Sequence, residues 1–296
     1  MLYKRQRMLL GFLHTLGGSV KNLDFQKLLL LYTMEVEEDP SYRFVPYQYG
    51  CFSYTSYADR RKLVSCGYLD QDDKAWRLTK AGKAEALQNP AMTDDMVEFS
   101  RQLRLRGKNL IAETYRRYPY YATRSEIIDT LNLNAQERNR IEACRPPRKE
   151  AGLLTVGYEG RTLEDYINVL FSAGVTVLCD VRRNPLSRKY GFSKGVLSRT
   201  CEGFDIRYEH VPELGISSKR RKNLKTKADY RSLFKAYVRD TISIHENILQ
   251  EIRSWILKGE RVALTCFEHE PEMCHRHCVA DALARLDESP SCVEHL

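Results

Sequence analysis

The densest run of reactive side chains in this sequence is Leu264-Thr-Cys-Phe-Glu-His-Glu-Pro-Glu-Met-Cys-His-Arg-His277. It follows the apolar segment Val262-Ala-Leu-Thr265 and precedes Cys278-Val-Ala-Asp-Ala-Leu-Ala-Arg-Leu286, whose apolar residues recur at helical spacing. The cluster is therefore expected on a strand-to-helix turn. Three chemistries compete for it. Cys266 is a nucleophile if an electropositive surround and a base lower its pKa. Cys266 and Cys274 with His275, His269 and His277 suggest a soft metal site, but Cys-x7-Cys-His is not a common zinc spacing and the chain has no Cys-x-x-Cys pair, so no resident metal is expected. Glu268 is the preferred choice, because a carboxylate just beyond a buried strand can stabilise or attack an oxocarbenium ion, as in glycoside cleavage. His275 and Arg276, at the start of the following helix, would add donors for an anion.

Three further clusters occupy comparable positions. Asp180-Val-Arg-Arg-Asn-Pro-Leu-Ser-Arg188 follows the apolar run Val175–Cys179. Here Asp180 would position water or a sugar, while Arg182, Arg183, Ser187 and Arg188 offer donors for phosphate oxygens. In Tyr208-Glu-His-Val-Pro-Glu-Leu-Gly215, His210 titrates near neutrality and can carry a proton, and Glu213 can hold a cation or hydroxyl. Gly157-Tyr-Glu-Gly160 is a turn that lets backbone approach a ligand, with Tyr158 and Glu159 beside it.

The elements that must position these residues follow from periodicity. Strand Leu153–Val156, helix Thr162–Ala173 and strand Val175–Cys179 form a βαβ unit, with Thr162 as helix cap. A broken helix over Tyr230–Leu257 and a strand at Arg261–Thr265 continue the alternation. The predicted fold class is α/β, a mostly parallel three-layer sheet domain over 151–296, with some strands unplaced. In open sheets of this class ligands bind beyond the carboxyl ends of the strands. Residues 1–90 resemble winged-helix modules: Asn22 or Asp24 caps the second helix, Tyr54–Cys66 is the recognition-like helix, and Gly67–Thr79 is a wing hairpin. Residues 91–150 read as a helical connector and linker. Within it, Tyr115-Arg-Arg-Tyr-Pro-Tyr-Tyr121 suits either base stacking or a packed aromatic corner.

The four motifs together carry a resemblance. Thr155-Val-Gly-Tyr158, Asp180-Val-Arg-x-x-Pro-x-Ser-Arg188, Tyr208-x-His-x-Pro-x-Leu-Gly215 and Cys266-x-Glu-x-x-Pro-x-x-Cys-His-Arg276 resemble the DUF488 family, in order, over about residues 151–290. That family is prokaryotic and largely uncharacterised, so the resemblance implies a fold and candidate residues rather than a reaction.

Charge points to the partner. The formal net charge is +8, yet between Arg182 and Lys227 thirteen Lys/Arg stand against four acids, so the basic surface is local, as polyanion binding requires. Lys219, Arg220, Arg221 and Lys222 form its densest part. No stretch is long and apolar enough to span a membrane, and the start lacks a secretory leader, so a cytoplasmic location is expected. The nine cysteines are irregularly spaced and argue against a disulfide framework. The combined expectation is a DNA-acting enzyme that cleaves base N-glycosidic bonds without a cofactor, in defence against foreign or modified DNA. Two alternatives stand beside it: a magnesium-dependent nuclease using Asp180, Glu159, Glu213 and Glu268, and a non-catalytic DNA-binding regulator that senses a nucleotide-like ligand. A homodimer through the N-terminal module is a further expectation.

Overall fold

The computed structural model describes residues 2–88, 92–221, 224–286 and 293–296. The chain divides into two compact units, Met1–Arg145 and Pro146–Leu296.

The first unit is mainly helical: α1 (Lys4–Thr15), β1 (Ser19–Lys21), α2 (Asn22–Glu35), β2 (Val45–Tyr47), β3 (Gly50–Phe52), α3 (Tyr54–Ser65), β4 (Ala75–Arg77), α4 (Lys80–Leu87), α5 (Asp94–Gln102), α6 (Gly107–Arg117) and α7 (Ala135–Ala143). Its helix starts follow local chemistry. The side chains of Ser53, Thr79, Thr93 and Asn134 accept backbone N–H bonds at the starts of α3, α4, α5 and α7. Neither residue proposed to cap α2 does so; the Oδ1 of Asp24 accepts instead from the Gly107 amide. The hairpin expected at Gly67–Thr79 is held by the bridge Leu69↔Leu78 and by backbone bonds from Asp70 to Arg77 and from Thr79 to Tyr68, and β4 pairs along its other edge with β1 in antiparallel register, Ser19↔Arg77. The core joins Phe12, Phe25, Leu28 and Trp76 to Met96, Phe99 and Leu110, so the segment predicted as a connector is built into this unit. Tyr115 is buried, and Arg116 and Arg117 are ion-paired to Glu137 and Glu35, which makes Tyr115–Tyr121 the packed corner of the two readings.

The second unit runs β5 (Gly152–Gly157), α8 (Leu163–Ser172), β6 (Val177–Asp180), α9 (Lys194–Glu202), β7 (Arg207–His210), α10 (Lys227–Asp240), α11 (Glu246–Leu257), β8 (Arg261–Cys266), α12 (Arg276–Ala284) and β9 (Glu294–His295). Thr162 caps α8 as predicted, and the long predicted helix breaks at a 3-10 turn, Ile242–Ile244. The sheet order is β7-β6-β8-β5-β9, all parallel. The short strand β9 was among those left unplaced by the sequence. Strands β5, β6 and β8 are buried almost throughout, as parallel strands covered on both faces must be. Among the described residues no helix is long and apolar enough to cross a membrane.

Candidate functional site

Sheet register brings the four clusters to one edge. Gly157 pairs with Cys266, while Asp180 pairs with Thr265 on one side and His210 on the other, so all four lie in the last layer at the carboxyl ends of adjacent strands. A parallel sheet can do this because every strand ends on the same side. The loops that leave this edge after β6 and β7, residues 181–193 and 211–226, carry much of the basic window, with Arg183, Arg188 and Lys219 exposed. Leu186, Tyr190 and Phe267 are exposed apolar side chains in loops of the same edge.

The chain approaches itself closely here for a definite reason. A Cβ on Gly157 would lie 2.0 Å from the Glu268 carbonyl oxygen, and one on Gly215 would lie 2.1 Å from the Arg183 nitrogen. Both glycines therefore exist to admit backbone. The amides of Tyr158 and Glu159 donate to the Phe267 carbonyl, and the Glu159 carboxylate accepts from the His269 amide. Arg276, fully buried, donates from its guanidinium to the carbonyls of Glu268 and His269. It is thus a clamp for this turn, and the phosphate-gripping role predicted for it is taken from it by burial.

Asp180 is likewise committed. It is fully buried, and its carboxylate accepts from the Arg182 guanidinium through both oxygens, from the Arg182 amide and from the Tyr208 hydroxyl. Arg182 continues to the Tyr158 hydroxyl at 3.0 Å and the Phe192 carbonyl at 2.8 Å. Burial works against the Arg182 charge, but the hydrogen bonds and attraction of Asp180 outweigh it and raise its pKa above the ordinary value. Burial, then the Asp180 charge, pushes the Tyr208 hydroxyl well up, so it stays a proton donor. A carboxylate with this set of partners supports the edge rather than activating water. The Tyr158 ring stacks on Phe192 at 4.3 Å and completes the network.

Glu268 is the accessible carboxylate beside it. Its side chain is 21% exposed, and Oε1 accepts from Arg221 at 2.7 Å. The same guanidinium donates to His275 Nδ1 at 2.7 Å and lies 4.0 Å from the Cys266 sulfur. Burial lowers the pKa of Arg221, and Glu268 with the nearby thiols more than offsets it. Cys266, Cys274 and His275 are all buried. The Cys274 thiol favours a Cys266 thiolate by hydrogen bonding; burial opposes this, and the His275 ring and Arg221 reinforce it, so Cys266 falls well below the usual thiol range. Cys274 moves up, through burial and the neighbouring negative sulfur.

The remaining predicted residues divide by location. His210 donates from Nε2 to the Arg182 carbonyl, with Nδ1 facing Lys194 at 3.4 Å. The Ser187 hydroxyl accepts from the Lys189 amide and shapes the loop. Glu213 is exposed, and Arg220 is ion-paired to Asp240. Lys222 lies outside the described residues. Sequence reasoning missed Phe267, 42% exposed between Cys266 and Glu268; its position inside the cysteine motif was the available signal. A cleft of about 1000 Å³ between α10 and α12, lined by Phe234, Met273 and His277, takes in none of Asp180, Arg182 or Glu268.

Residues 162–283 match the model of the family described as "Domain of unknown function DUF488". The match covers three of the four motifs and begins after Thr155–Tyr158. None of the curated proteins and none of the solved structures matches the chain.

Proposed function

We propose that this chain is a DNA-acting enzyme that cleaves base N-glycosidic bonds at the carboxyl edge of the second unit's sheet. The observation that carries the reading is Glu268: a half-buried carboxylate, paired with Arg221, on the edge from which the exposed Arg183, Arg188 and Lys219 loops depart. Breaking the C1′–N bond leaves the electron pair on the base and positive charge on the sugar. The Glu268 carboxylate stabilises that charge, and water then supplies a hydroxyl to C1′ and a proton to solution. His210 is the candidate proton donor to the leaving base. Asp180 and Arg182 act here as positioning residues. A base drawn out of the stack needs an apolar face to meet it, which Phe267, Leu186 and Tyr190 offer.

A glycosidic target is favoured over a phosphodiester one by how the acids are disposed. Asp180 is spent on Arg182, Glu159 accepts from the His269 amide, and the metal-ligating side chains grouped within reach of one another among the described residues are Cys266, Cys274 and His275, a set without a carboxylate. Magnesium prefers carboxylate and water oxygens. The first unit is read as a winged-helix-like DNA-holding module. What supports this is the element order α1, β1, α2, α3, β4, interrupted by the β2–β3 hairpin between α2 and α3, the pairing of β1 with β4, and the exposed Arg61 and Lys62 on α3. A role against foreign or modified DNA fits this architecture.

The reading is tested on end-labelled natural and modified DNA, with alkali treatment after incubation. Strand breaks that appear only after alkali, with or without magnesium, are expected, since an abasic sugar is alkali-labile. Direct breaks that require magnesium would replace the proposal with a nuclease, and binding without breaks would replace it with a regulator.

A further inference from the structure

Cys266, Cys274 and His275 place two sulfurs and a ring nitrogen within 4.8 Å of one another, with all three residues buried. From this juxtaposition we infer a binding site for a thiophilic divalent cation of the zinc class. The inference does not depend on the glycosidase reading.

The donor set is the first argument. Two cysteine sulfurs and an imidazole suit borderline and soft ions, whereas magnesium and calcium take oxygen ligands. The orientation of the imidazole is the second. His275 donates from Nε2 to the Val181 carbonyl at 3.0 Å, which fixes the ring and leaves the Nδ1 lone pair turned toward the sulfurs. Metal-bound histidines are commonly held this way, through the second ring nitrogen. Distance is the third. Nδ1 lies 3.8 Å from the Cys266 sulfur and 3.9 Å from the Cys274 sulfur. Tetrahedral zinc with Zn–S of about 2.3 Å and Zn–N of about 2.05 Å sets sulfur and nitrogen about 3.6 Å apart, so a shift of a few tenths of an ångström closes the site.

The unusual spacing then has a structural explanation. Cys266 ends β8, and the turn returns to the same point at Cys274, held by the Arg276 clamp on its carbonyls. Adjacent residues Cys274 and His275 supply the other two ligands. A zinc ribbon builds its site from two short Cys-x-x-Cys turns, whereas here a clamped turn and a strand end suffice.

The fourth position is left to a solvent oxygen, with Glu268 beside the set and not a member of it. The Glu268 Oε2 is 3.4 Å from the Cys266 sulfur, while Oε1 is held by Arg221 Nη1. In the present arrangement the Arg221 guanidinium supplies the cluster's positive charge, reaching Glu268, His275 and Cys266 together. An arriving cation takes the His275 contact from Nη2, and the Nη1–Glu268 pair remains beside the site. The Cys274 thiol gives its proton to solvent as the ion binds and joins the Cys266 thiolate, and the two thiolates with the neighbouring Glu268 carboxylate are balanced by the ion and Arg221.

The test uses the full chain purified under reducing conditions, with zinc and then cobalt as probes. Elemental analysis should find about one zinc per chain, and cobalt substitution should give sulfur-to-cobalt charge-transfer absorption. Cys274→Ser and His275→Asn should each weaken zinc binding by more than about tenfold. Misfolding of either variant would also weaken binding, so the unsubstituted chain provides an independent readout: zinc should protect Cys266 and Cys274, identified by peptide mapping, from alkylation. No zinc and no charge-transfer band would overturn the inference. So would a Cys266–Cys274 disulfide in the freshly reduced chain, or alkylation unaffected by zinc. Loss of base release with zinc still bound would count against the glycosidase reading alone.

Discussion

At the scale of single residues, the decisive distinction is between two carboxylates at neighbouring strand ends, one buried and spent, the other in contact with solvent. Asp180 and Glu268 look alike in sequence, each just past an apolar strand, yet Asp180 is fully buried with Arg182 and Tyr208 as partners while Glu268 meets solvent. Removing one member of a buried ion pair leaves the other charge uncompensated, at a cost of about 3–5 kcal/mol. Asp180→Asn should therefore destabilise the second unit by about that amount, whereas Tyr208→Phe, which removes a single hydrogen bond, should cost about 1 kcal/mol. Urea unfolding followed at Trp255, in a chain whose other tryptophan is replaced, Trp76→Phe, measures both. Equal midpoints for Asp180→Asn and the parent chain would show that the pair does not support the edge. The residue types were legible in the sequence because chemistry dictates them. Their division of labour was not, since burial and partners are set by strand register and by the loop 181–193, which no local pattern specifies.

The elements of the second unit were the most legible part of the molecule. Buried parallel strands such as Leu153–Val156 and Val262–Thr265 write continuous apolar runs, and Thr162 announces α8. The first unit was harder. Strands β1 and β4 are three residues each and far apart in sequence, so their pairing, beside the local hairpin, is a tertiary choice. Likewise β9, two residues long, gives almost no periodic signal. The turn after β8 shows how an element depends on a distant glycine. Gly157→Ala would set a methyl group 2.0 Å from the Glu268 carbonyl oxygen. The turn must then move while strand pairing is kept, and misplacing a reacting group by about 1 Å costs about 10²-fold in rate. Base release by Gly157→Ala should fall by that order with an unchanged far-UV circular dichroism spectrum. An undiminished rate would separate the turn's position from the chemistry.

For the whole molecule, two units with separate cores share one chain, and the second concentrates its surplus positive charge in loops at the carboxyl edge of its sheet. Thirteen cations between Arg182 and Lys227 were countable from sequence, and sheet order brings the loops that carry many of them to the same edge as Glu268. Several are internal: Arg182 is buried against Asp180, Arg220 pairs with Asp240 and Arg221 with Glu268, so the surface available to phosphates is smaller than the count suggests. The central claim is that the Glu268 carboxylate breaks a base–sugar bond in DNA bound at this edge. Its most direct test is mass spectrometry of the small molecules released from mixed natural and modified DNAs by the full chain and by Glu268→Gln. The account predicts free bases from the parent chain and none from the variant. Free bases from both, or no free base from either, would contradict it.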